Sequence, residues 1–168
     1  MPNLVRNLID PHLLLLGGEN PSEPQADALK NFRTKDNKLS VYEVKDGAYD
    51  AVRLAVSVVA GADRLVEVHF VVFNSELVTE LGILIEKTEG KTPDRHANDQ
   101  HYDLQIGTPK KLGALTEAII YNPLDIKRIL QPEVEKLVVD AIKDGSIDKR
   151  KLNSPMRKAL KESHPGLL

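Results

Sequence analysis

The chain has 168 residues, with 23 Lys and Arg against 25 Asp and Glu, a formal charge of −2, and neither cysteine nor tryptophan. That length supports one domain with a real core, and 41% apolar residues is an ordinary globular share, which excludes a disordered or collagen-like chain. Without cysteine there is no disulfide framework, thiolate zinc finger, iron–sulfur cluster or cysteine nucleophile, and 3 Phe with 4 Tyr are too few to stack successive bases.

The apolar run Leu13–Leu16, close behind Asp10 and Pro11, is too short for a signal-peptide core. Gly17-Gly18 lacks the lysine and the glycine spacing of a phosphate loop and reads as a turn. Ser22 and Gln25 form a capping-box pattern, which predicts a short helix over 23–32 with Ala26, Leu29 and Phe32 inward. His12 sits beside Pro11 and carries no pattern of its own.

Residues 38–44 alternate, Leu39, Val41 and Glu43 against Ser40, Tyr42 and Val44, and predict a strand. Residues 47–60 are apolar nearly all round and predict a deeply buried helix ended by Gly61. The strongest strand signal is 64–73, β-branched and aromatic, with Val66, Val68, Phe70 and Val72 on one face. On its other face His69 has Glu67 as its natural partner, two residues earlier. The stretch 51–73 is broken by Arg53, Asp63, Arg64, Glu67 and His69, so no membrane span is expected and a cytoplasmic protein is. Asn74 or Ser75 caps a short helix to Leu81, a strand follows over 83–87, and 88–100 is one long polar loop before a strand over 101–106.

Beyond Gly107 the pattern predicts only helices. Thr108-Pro109, Asn122-Pro123, Gln131-Pro132 and Ser154-Pro155 each place proline where a helix begins, since its missing N–H has no partner to lose there. Residues 133–143 carry the stripe Val134, Leu137, Val138, Ala141 and Ile142, stopped by Asp144-Gly145. The expected architecture is α+β: a small mixed sheet of four or five short strands packed with helices over 1–121, then a helical C-terminal extension over 122–168 that packs on that body.

Three places carry candidate chemistry. His96, His101 and Asp103 offer two imidazoles and a carboxylate, the ligand types zinc, manganese or iron accept. On a strand His101 and Asp103 also share a face, as a base and its orienting carboxylate do. The same pattern describes a solvated loop entering an edge strand. Arg33 ahead of the strand bearing Ser40 is the pairing that anion or nucleotide recognition uses, including NAD-processing folds. With His101 and Asp103 these two make a candidate catalytic set. Third, residues 143–161 set Lys143, Lys149, Arg150, Lys151, Arg157, Lys158 and Lys161 against Asp144 and Asp148, a net +5 in a chain of −2. Lys149, Arg150, Lys151, Arg157, Lys158 and Lys161 are the candidate contacts to nucleic acid or an acidic partner, on helices that could form a helix-turn-helix, and a solvated, frayed terminus fits the same charges.

The leading expectation is a small bacterial-type binding or regulatory protein acting through protein contacts, with another protein or a second copy of itself as the partner, since no strong catalytic signature is present and the charge asymmetry suits steering a partner. The alternatives are a small metal-dependent or nucleotide-processing enzyme and a nucleic-acid-binding protein.

Overall fold

The computed structural model describes residues 2–10 and 26–168. The expected capping box at Ser22 and Gln25, the Gly17-Gly18 turn and His12 lie outside the described residues. Among the described residues six strands, β1 (Asn3–Leu8), β2 (Lys38–Val44), β3 (Val68–Asn74), β4 (Leu84–Lys87), β5 (His101–Gln105) and β6 (Asp125–Ile129), form one sheet in the order β4-β5-β2-β1-β3-β6. Every pairing is antiparallel. The described residues also form six α-helices, α1 (Gly47–Ala60), α2 (Glu76–Glu80), α3 (Arg95–Asp99), α4 (Pro109–Tyr121), α5 (Gln131–Lys143) and α6 (Ser154–Ser163), with 3-10 segments at Ala26–Phe32 and Lys149–Lys151.

The mixed helix-and-strand architecture is as expected, but the sheet is neither mixed in direction nor limited to four or five strands. The two extra strands are the ones that local patterning hides. β1 is only six residues long and half polar, with Leu4 and Leu8 facing one core and Val5 the other. It nevertheless sits inside the sheet, between β2 and β3. β6 is an edge strand with Ile129 as its one buried residue, so it shows little of the alternation that burial imposes. Strands therefore do not stop at Gly107. The proline of Asn122-Pro123 opens β6 rather than a helix, because its fixed φ suits the entry to an edge strand as well as a first helical turn.

Helices cover both faces of the sheet. Phe70 and Val72 pack with Leu54 of α1, Val134 and Val138 of α5, and Met156 and Leu160 of α6. Leu4, Leu39, Val71 and Phe73 meet Phe32 and Leu115 and Ile119 of α4 on the opposite face. Since β3 is buried on both sides, its sequence runs apolar without a clean alternation.

The C-terminal segment is docked rather than frayed. Between α5 and α6 the chain pairs with the body, Asp148 donating its N–H to the Pro93 carbonyl at 3.1 Å and Ile147 bridging Asp94. Ile147, Leu152, Met156 and Leu160 are all buried. The structure starts α6 one residue earlier than the proline pattern suggests, with Asn153 as its cap, accepting from Met156 N–H at 2.9 Å.

Candidate functional site: a polar cleft over β2 and β5

The β2–β5 register sets Ser40 opposite Asp103 and Tyr42 opposite His101, so these four side chains share one face. Beyond the reach of α1 this face opens into a cleft of about 410 Å³. Its rim comes from the tight turn before β2 and from the loop after β4, which bring Lys35, Asp36, Lys91 and Glu89. The turn works because Asp36 and Asn37 accept left-handed backbone, φ 53° and 61°, as a two-residue hairpin turn requires. Lys35 and Lys38 close it with reciprocal backbone hydrogen bonds of 3.0 and 2.9 Å.

Within the cleft the hydrogen bonds favour one tautomer of His101. The Thr88 hydroxyl donates to Asp103 Oδ2 at 3.1 Å, and its one proton is thereby committed. His101 Nδ1, 2.9 Å from the Thr88 hydroxyl oxygen, is accordingly assigned as the donor to it. Nε2 carries the lone pair. It stands 3.9 Å from Asp103 Oδ1, too far for a hydrogen bond but close enough for the carboxylate to stabilise an imidazolium. Ser40 Oγ donates to that same Oδ1 at 3.2 Å. Burial holds the His101 imidazole below its ordinary value, against the pull of Asp103, so the resting ring is neutral. Tyr42 meets the ring edge-on at a centroid separation of 5.2 Å. Burial, aided by Asp103 and opposed by Arg6, pushes its phenol up to about 12.

The loop carrying Thr88 is built rather than solvated. Asp94, 1% exposed, caps α3 through the N–H groups of His96 and Ala97 and also accepts from Arg53 at 3.2 Å and Ser57 at 2.8 Å on α1. Thr92 and Asn98 clasp each other through three hydrogen bonds of 2.8 to 3.0 Å. Gly90 lies so close to this clasp that a Cβ there would stand 2.7 Å from Asn98. Asp50, nearly fully buried on α1, accepts from His96 Nε2 at 3.1 Å and from Gln100. Burial raises the Asp50 carboxyl, but hydrogen bonds from the Lys45 N–H, His96 and Gln100 outweigh it and leave the group below its usual range. β5, moreover, is an interior strand between β4 and β2 and not an edge.

The candidate residues thus divide. His101, Asp103 and Ser40 converge in the cleft. Arg33 is exposed and is not part of its lining. His96 is turned onto Asp50, away from His101 and Asp103, and no group of three or more His, Asp or Glu side chains among the described residues is arranged to hold a metal ion. Lys149, Arg150, Lys151, Arg157, Lys158 and Lys161 are all exposed, with Arg150 folded onto Asp148 at 3.0 Å. His69 pairs with Glu67 at 2.8 Å as its spacing suggested. Thr88, Arg6 and the Arg53–Asp94–Ser57 cluster were not singled out from sequence. The one local signal was a basic residue, Arg6, set among Leu4, Val5 and Leu8. A wider hollow of about 530 Å³ lies between the end of β1 and residues 66–69, at the border of the described residues. No family model matches this chain, and no curated protein or solved structure shows significant similarity to it.

Proposed function

We propose that the cleft over β2 and β5 is the active site of a small enzyme that performs acid–base chemistry on a small polar substrate, with His101 as proton acceptor. One observation carries this reading: the chain from His101 Nδ1 through Thr88 to Asp103 in a concave site, which with Nδ1 assigned as the donor leaves Nε2 the proton acceptor. In that role Thr88 and Asp103 are positioning residues. Thr88 holds the tautomer, and Asp103 stabilises the imidazolium that forms when Nε2 takes a proton. The test is incubation of the full chain with a small-metabolite extract, read by mass spectrometry, beside His101→Gln and Thr88→Val. A conversion lost in His101→Gln and weakened about tenfold or more in Thr88→Val supports the reading. A folded wild-type chain that converts nothing in a His101-dependent way rejects it.

A second reading, contact with another protein chain, is favoured by the β6 edge. Its outer side pairs with no described strand, and Leu124 and Leu130 beside it are 56% and 53% exposed. Sedimentation tests it with a second copy as partner: a mass above 18.6 kDa that Leu124→Lys and Leu130→Lys return to the monomer supports pairing. A monomer at every concentration rejects self-pairing.

A further inference from the structure

β1 and β2 pair only as far as Val5 opposite Tyr42. One residue further, where this ladder ends, the Arg6 guanidinium occupies the gap and donates from Nη1 to the Ser40 carbonyl at 2.8 Å. Its Nε–H is buried and has no hydrogen-bond partner. Arg6 makes no ion pair with any described carboxylate. The Tyr42 phenol, on which its charge acts, is neutral at ordinary pH and so no counter-ion. An arginine does not shed its proton to escape such a position, so the charge persists and burial leaves it under-solvated.

Arg6 borders the cleft without being part of its lining. Its bond to the Ser40 carbonyl sets the guanidinium beside Ser40, whose side chain lines the cleft, and its charge acts on Tyr42 and His101 there. The Tyr42 hydroxyl donates to no described residue and lines the cleft, so it is available to a bound group. Lys35 and Lys91 stand on the rim without salt bridges to described residues. A cation with no described counter-ion and a buried, unpaired Nε–H, a free phenol donor and two free ammonium groups are what an oxyanion would satisfy.

We infer that the cleft binds a small molecule through an anionic oxygen group, a phosphate or a carboxylate, seated at Tyr42 with Arg6 as its counter-charge. This names the substrate class for the acid–base site proposed above, and it rests on the same cleft. The anionic end would lie at the Ser40–Tyr42 side and present the remainder of the molecule to His101 Nε2.

The experiment titrates the full chain with inorganic phosphate and, separately, with acetate, at ionic strength held constant with sodium chloride. The readout is the NMR signals of the Arg6 Nε–H and the His101 ring. The expected result is saturable movement of both signals by at least one of the two anions, the responding anion distinguishing phosphate from carboxylate. Arg6→Gln should weaken that binding by about tenfold or more, as loss of a charge-assisted contact does. Lys91→Gln, an exposed change that leaves the fold alone, and Tyr42→Phe should each weaken it several-fold, so the inference stays testable if Arg6→Gln does not fold. Movement by neither anion, or binding unaffected by all three substitutions, overturns it. Arg6-dependent anion binding without His101-dependent conversion would retain this inference and discard the enzyme. Conversion of a neutral substrate without anion binding would do the reverse.

Discussion

At the residue scale the site depends on side chains whose protons and charges are held by burial. His101 is held below 6.5 in the folded chain by burial, so the unfolded chain takes up this proton at higher pH. Its contribution to stability is whole above about pH 6.5 and is lost as pH falls from there through the folded-state value. The urea midpoint should therefore fall between about pH 7 and pH 5, and His101→Gln should flatten that slope. Asp50 acts in a separate window below 3.8, because its carboxyl is lowered and its stabilisation goes only as it protonates. Asp94 matters in another way. Asp94→Ala removes the partner of Arg53 and Ser57 and the cap of α3 together, and should cost roughly 3–5 kcal/mol by chemical denaturation. Arg53→Met should cost less, because Asp94 keeps Ser57 and two backbone donors.

At the element scale, short connections do the positioning. The loop between β4 and β5 holds Thr88 against His101, and its closest packing is at Gly90, whose missing side chain lets the backbone pass Asn98. Gly90→Ala should destabilise the chain by about 1–3 kcal/mol and shift the His101 ring signals, since the new methyl also meets His101 Cβ at 3.1 Å. The C-terminal helix behaves as core. Met156 and Leu160 are fully buried against α1 and α5, so Met156→Ala should cost about 2–4 kcal/mol with an unchanged denaturant slope. A frayed tail would show almost no effect. For the same reason, truncation after Gly145 would disturb the core as well as the charge, and a test of anionic partners at this end needs charge reversal at Arg157, Lys158 and Lys161 instead.

At the scale of the whole molecule, the sheet brings distant segments to one place. Arg6, Ser40, Thr88 and Asp103 are spread over nearly a hundred residues, yet β1, β2 and β5 are successive neighbours, and the cleft lies over the β2–β5 pair beside the point where the β1–β2 ladder ends. Several features were legible locally. The helix over 47–60 shows in its length and apolar content, β2 and β5 in their alternation, and the shared face of His101 and Asp103 in the two-residue period of a strand. These are properties of nearest neighbours along the chain, so the amino-acid sequence by itself determined them. Others depend on what lies alongside. β1 became an interior strand although its own residues are half polar, because pairing on both sides satisfies a backbone that local hydrophobicity does not explain. His96 turned onto Asp50, forty-six residues away, rather than joining its near neighbours His101 and Asp103. Arg6 acquired its place only where two strands part. Proximity across the sheet, which no local period encodes, decided those three, and with them which titratable groups share a site.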